Sequence, residues 1–128
     1  MKKATRKAVG TGAPKAAQLK PRLRVVRDGE VLLGPGMVRL LEEIARTGSL
    51  RVAAGELGMS YMHAWQLVRM MNCAFRDPLV ALSRGGAAHG GAQVTATGRE
   101  VLFLYGEMEA EARRAAEGRW RRLKRLLS

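Results

Sequence analysis

The stretch from Thr47 to Phe75 constrains the fold more than any other part of the chain, because it holds two short apolar helical patterns separated by a single glycine turn. Leu50, Ala53, Ala54 and Leu57 fall at i, i+3, i+4 and i+7, one face of a helix, and Gly58 stops it. Ser60 then stands where a cap is needed, and Ala64, Leu67, Val68, Met71 and Phe75 form the next apolar stripe, closed by Asp77-Pro78. A small Ala54 lets the two helices cross closely, and Gly58 accepts a turn conformation that a side chain would strain. Such a pair presents its second helix proud of the body, the arrangement that lets a helix enter a DNA major groove.

The flanking sequence completes a small domain. Leu23–Val26 and Glu30–Leu33 are β-prone runs joined by Asp28-Gly29, a hairpin signal. Two strands alone are marginal in water, so this pair is expected to lie against the helices or another subunit. Met37, Leu40, Leu41, Ile44 and Ala45 give a first helix that Gly48 ends, with Ser49 as the cap of the following one. Beyond the third helix the period changes to strand-like Leu79–Leu82 and Ala92–Thr95, around the glycine-rich loop from Ser83 to Gly91. Thr97 and Glu100 have the spacing of a capping box for a last helix. That helix carries Val101, Leu104, Tyr105 and Met108 on one side and Leu102 and Phe103 on another, with a break expected at Gly118. Apolar residues on two sides exceed what one small core needs, so a partner chain is expected on this helix. The fold class expected is mainly α with a small β component: a winged helix-turn-helix with an N-terminal hairpin and a long C-terminal dimerisation helix.

Charge supplies the functional clue. The 128 residues carry a formal net charge of +12. Residues 1–20 contain Lys2, Lys3, Arg6, Lys7, Lys15 and Lys20, and residues 119–128 contain Arg119, Arg121, Arg122, Lys124 and Arg125, with no acid in either segment. Removing these eleven from the 23 bases leaves twelve against all 11 acids, so a near-neutral body is expected between two cationic ends. The boundaries read as a disordered basic arm over 1–20, the domain over 21–117 and a basic extension over 118–128. Cationic arms draw polyanions by counterion release without regard to sequence. A single cysteine, Cys73, excludes an internal disulfide framework and fits a reducing compartment. No run approaches the roughly 20 apolar residues of a membrane span, so a cytoplasmic, nucleoid-associated protein with no membrane partner is expected.

With Ala64 facing inward, Met62, Gln66, Arg69 and Cys73 project outward on the third helix, flanked by Trp65 and His63. Gln66 and Arg69 have the donor and acceptor geometry for base edges, and Met62 can meet a thymine methyl. Ser60, Tyr61 and His63 suit phosphate or groove contacts, and Ser49 is counted with this DNA-facing set. Trp65 is expected to pack between helices, and Cys73 to be a bystander. A solvated polar face is the competing reading for Gln66 and Arg69; the arms and the wing weigh against it. Arg84 and His89, at the tip of the glycine-rich loop, are the wing contacts. That loop lacks a following Lys-Ser/Thr, so it is no phosphate-binding P-loop. An enzyme is disfavoured: the only histidines are His63 and His89, and no carboxylate pair sits in a recognisable site. No cofactor and no metal are expected.

The run from Arg46 to Asn72, with Ser60-Tyr61 ahead of Ala64-Trp65, resembles the N-terminal domain of ModE-type molybdate-responsive regulators. The likeness continues through Pro78-Leu79-Val80, the glycine-rich loop, Val94-Thr95 and Gly98-Arg99, over roughly residues 36–112. It implies a winged-helix homodimer paired through terminal helices. It also implies binding to palindromic double-stranded operators through Ser60, Tyr61, His63, Gln66 and the wing. Such regulators carry molybdate-sensing domains after this region, whereas this chain stops soon after it, so molybdate sensing is not carried over; an unidentified small-molecule effector stays open. Ala87, Ala88 and His89 stand where the family wing commonly has a lysine, which shifts the phosphate contact to Arg84 and the arms. The expectation is a sequence-specific transcription regulator; the alternative is a nonspecific architectural DNA- or RNA-binding protein.

Overall fold

A computed structural model describes residues 16–83 and 91–128. Eight elements follow one another: β1 (Val25–Arg27), β2 (Glu30–Leu33), α1 (Pro35–Thr47), α2 (Leu50–Glu56), α3 (Tyr61–Ala74), β3 (Val80–Leu82), β4 (Ala92–Val94) and α4 (Ala96–Lys124). This is the winged helix-turn-helix architecture that the periodicities imply.

The hairpin forms as Asp28-Gly29 dictates: both residues have positive φ, at 52° and 80°, and Arg27 pairs with Glu30 across them. An irregularity between Val25 and Val26 shifts the register, so that Val25 faces Leu33. Leu33 is buried and β2 lies against α3, which gives the strand pair the helical support it needs. One core joins all parts. Leu40, Leu41 and Ile44 of α1 meet Leu50 of α2, Val68 and Met71 of α3, and Leu79 and Val80 at the start of the second hairpin, each all but inaccessible to solvent. Burying each such side chain stabilises the fold by about 1.5–3 kcal/mol.

The second hairpin pairs Val80 with Val94, Ala81 with Gln93 and Leu82 with Ala92. Its root is tied to the helix-turn-helix, because Ser49 bridges Gly91 and the amide of Ala92 donates to the carbonyl of Gly48 at 3.1 Å. The loop tip between the strands, with Arg84 and His89, lies outside the described residues.

Three expectations about α4 are corrected. Its cap is Thr95, not the Thr97–Glu100 box: the Thr95 hydroxyl accepts from the amide of Gly98 at 3.0 Å. The strand decides this, since the Thr95 amide donates to Leu79 at 2.9 Å and its hydroxyl donates to Pro78 at 2.7 Å, so the chain leaves β4 at Thr95. Thr97 falls inside the first helical turn. Nor does Gly118 break the helix, which runs unbroken for 29 residues, about 44 Å. An interior glycine costs only about 1 kcal/mol relative to alanine, and Ala115, Ala116, Glu117 and Arg119 around it favour helix. Finally, the inward stripe is Gly98, Val101, Leu102 and Tyr105, so Leu102 sides with the core, while Phe103, Leu104 and Met108 remain exposed.

Gly98 fixes how closely α4 approaches the second hairpin. A Cβ there would run into the carbonyl oxygen of Leu79 and come within 2.6 Å of a Val94 methyl. The Tyr105 hydroxyl donates to the carbonyl of Leu23 at 2.8 Å, which ties the lead-in to β1 onto the helix.

Candidate nucleic-acid interface

Helices α2 and α3 are set by their caps and by the turn between them. The Ser49 hydroxyl accepts from Val52 at 3.1 Å, and that of Ser60 accepts from His63 at 3.0 Å. Each satisfies one of the amides that a helix start leaves without a partner. Gly58 has φ +69°, and the amide of Met59 returns to the carbonyl of Ala54 at 3.0 Å, so the chain reverses tightly against the buried Ala54.

On α3, Ala64, Val68 and Met71 are buried and Leu67 packs against the core at its margin. On the opposite face Met62, His63, Gln66, Arg69 and Cys73 are exposed, as the projection from sequence has them; Met62 is 59% accessible. The described part of the molecule therefore brings Met62, Gln66 and Arg69 together on one solvent-facing ridge, with Ser60 and Tyr61 at its head and on one flank and His63 on the other. Ser49 stands apart from the ridge, half-buried at the head of α2 beside Gly91. Trp65 is half-buried against the core.

Two arginines near this ridge lie over aromatic rings. The guanidinium of Arg69 sits 5.6 Å from the Trp65 ring centre, and that of Arg51, from α2, sits 4.7 Å from the Tyr61 ring centre. Arg46 behaves differently. Its guanidinium donates to Glu43 at 2.6 and 3.0 Å and lies 3.6 Å from Glu56. The hydrogen bond to Glu43, then its charge, hold the Arg46 pKa above its ordinary value against a small opposing effect of burial.

Sequence reasoning missed the group that locks the ridge to the wing. The Asn72 side chain accepts from the amides of Leu79 and Val80, at 2.8 and 3.2 Å, and donates to the carbonyl of Val80 at 3.0 Å. One amide thus makes three bonds with the edge of β3, fixing the second hairpin to the carboxyl end of α3. Its partners, seven and eight residues on, become visible only when the chain is folded, so no local signal marks it. Arg51 was missed for a related reason, since a helical projection of α3 does not contain α2.

Among the described residues no helix is long and apolar enough to cross a membrane.

The comparisons agree with this architecture. Residues 36–99, from the start of α1 to the first turn of α4, match the family model of the bacterial regulatory helix-turn-helix protein, lysR family. The chain is 39% identical over 93 residues to the molybdenum-pterin-binding protein MopA of Rhodobacter capsulatus, covering 73% of this chain and 35% of MopA. It is 44% identical over 78 residues to MopB of the same organism, 61% of this chain and 29% of MopB. The DNA-binding transcriptional dual regulator ModE of Escherichia coli is 37% identical over 71 residues, 56% of this chain and 27% of that protein. The chain spans about a third of the length of these relatives. The family model and the ModE match are to regulatory proteins, in line with the sequence reading, which disfavours an enzyme. With its presented α3, its glycine turn and its second hairpin, the chain belongs to the lysR family of bacterial regulatory helix-turn-helix proteins, its DNA-binding domain being of the ModE type.

Proposed function

We propose that the chain is a sequence-specific transcription regulator that binds a palindromic operator as a homodimer, with α3 in the major groove and the glycine-rich wing on the flanking backbone. The observation that carries this reading is the division of α3: Ala64, Val68 and Met71 are buried while Met62, His63, Gln66 and Arg69 stand open to solvent on a rigidly held helix. Gln66 and Arg69 read base edges, Met62 meets a thymine methyl, and Ser60, Tyr61 and His63 contact the backbone or groove wall. Ser49, at the root of the wing, and Arg84 and His89, at its tip, belong to the backbone contacts. The cationic segments 1–20 and 118–128 flank the domain of 21–117 and add sequence-independent attraction. The exposed Phe103, Leu104 and Met108 of α4 favour a second copy as the helix's partner. A regulator of this kind works in the cytoplasm at the nucleoid, and an effector, if it has one, is a small molecule.

Selection from a random duplex library with the full chain tests the reading. An enriched, two-fold symmetric sequence is expected, and Gln66→Ala or Arg69→Ala should weaken binding to it by about 1–3 kcal/mol while leaving random DNA nearly unaffected. Equal losses on selected and random duplexes, or displacement by structured RNA at equal concentration, would favour the architectural alternative. Replacing Phe103 and Leu104 together by serine should convert a sedimenting dimer to monomer.

A further inference from the structure

We propose that Arg51, on α2, is a backbone phosphate-binding residue that the ring of Tyr61 holds ready at the head of α3; the inference rests on the DNA-binding reading of α3. Three observations carry it. The Arg51 guanidinium lies 4.7 Å from the centre of the Tyr61 ring, so the first residue of the presented helix fixes a cation supplied by the helix before it. Among the described residues Arg51 has no carboxylate partner, whereas Arg46 has its charge absorbed by Glu43 and Glu56. Arg51 is also exposed, so its charge faces solvent.

The chemistry of the guanidinium makes the stack productive. Held over the ring and paired with no carboxylate among the described residues, the group keeps in-plane N–H donors available for an oxyanion. An arginine held this way surrenders less side-chain freedom on binding than one waving in solvent, and its fork can take two phosphate oxygens at once. The location fits as well. Tyr61, Trp65 and Asn72 share one flank of α3, within an arc of roughly 40°. Asn72 binds β3 on that flank, and Ser49, two residues before Arg51, bridges Gly91 at the wing root. Arg51 therefore stands between the reading ridge and the wing, where a helix preceding the recognition helix crosses the DNA backbone.

The test uses the full chain and a mixed-sequence DNA duplex long enough for two half-sites, titrated at several salt concentrations. Arg51→Ala should reduce the salt slope of log affinity by about one for each bound chain. For one bound chain, the ratio of wild-type to variant affinity should then shrink about three- to fourfold between about 50 and 200 mM salt. The loss should be the same on selected and random sequences, and the Tm without DNA should be unchanged. Arg51→Lys should keep the slope but bind about threefold more weakly, since charge remains and the stacked fork does not. An unchanged slope in Arg51→Ala overturns the proposal, and so does an unchanged slope joined to a lower Tm, which makes the stack a device of the fold. Wild-type protein that binds no duplex in a salt-dependent way defeats the DNA-binding reading itself, and the assignment of Arg51 with it.

Discussion

Helix α3 is held along its whole length: Ser60 caps its start, Ala64, Val68 and Met71 sink into the core, β2 lies against it, and Asn72 fastens its end to β3. Helix α4 is twice as long yet rests on the body chiefly over its first turns, through Gly98, Val101, Leu102 and Tyr105. The surfaces they leave open differ in kind. On α3 it mixes His63, Gln66 and Arg69 with Tyr61, Met62 and Met70; on α4 it includes Phe103, 65% exposed, and Leu104. The helix proposed to read DNA is immobilised and presents a face of mixed polar and apolar side chains. One that keeps an apolar face open is packed on the core over its first turns, and farther along it meets the lead-in segment, where Arg113 donates to the carbonyl of Leu19 at 3.5 Å.

Breaking the anchors separately sharpens this contrast. The largest effect is expected at Gly98→Ala, where an added methyl meets the backbone of Leu79, which cannot yield as a flexible side chain would. Overpacking of this kind should cost about 3 kcal/mol, read as a fall in the urea midpoint at unchanged m-value. Asn72→Ala comes next. It strands the amides of Leu79 and Val80, at about 2 kcal/mol, and it should loosen protection from hydrogen exchange in β3 before that in α1. Were β3 as protected in the variant as in wild type, Asn72 would not be what holds the wing to α3.

Thr95→Ala should cost about 1 kcal/mol in thermal unfolding, and Thr97→Ala close to nothing; the reverse order would restore the cap to Thr97. The smallest effect concerns Tyr105. Burial, and then the charge of Glu109, raise its pKa above the usual value near 10, more than the charges of Arg22 and Arg24 lower it. The folded chain thus keeps the proton where the unfolded chain has lost it. The associated stability is complete below about pH 10 and disappears as the pH climbs past that point. The Tm should bend downward there, and Tyr105→Phe should abolish the bend while lowering the Tm at neutral pH through loss of the bond to Leu23.

What was legible from sequence divides along the same line. Local rules suffice where the partner lies within one turn. Asp28-Gly29 closed the first hairpin as read, Ser49 and Ser60 capped as read, and the outward set Met62, His63, Gln66, Arg69 followed from period alone. The errors arise where a distant segment decides. Thr97 and Glu100 have the spacing of a box, but Leu79 and Pro78 fix where the strand ends and leave the cap to Thr95. Leu102 was put with Phe103 because neighbours on a helix differ by only about 100°, and the position of β4 and α1 settles which of them is inward. Asn72 and Arg51 act on residues of other elements and carry no local mark.

The triple bond of Asn72 also makes the carboxyl end of α3 and the root of the wing a single solid piece, like the two jaws of a calliper locked at one opening. On the proposed reading, a duplex with a wider or narrower groove cannot be accommodated by sliding one jaw along the other. Changes in sequence preference would then come from the side chains mounted on that frame, or from the duplex bending to fit it.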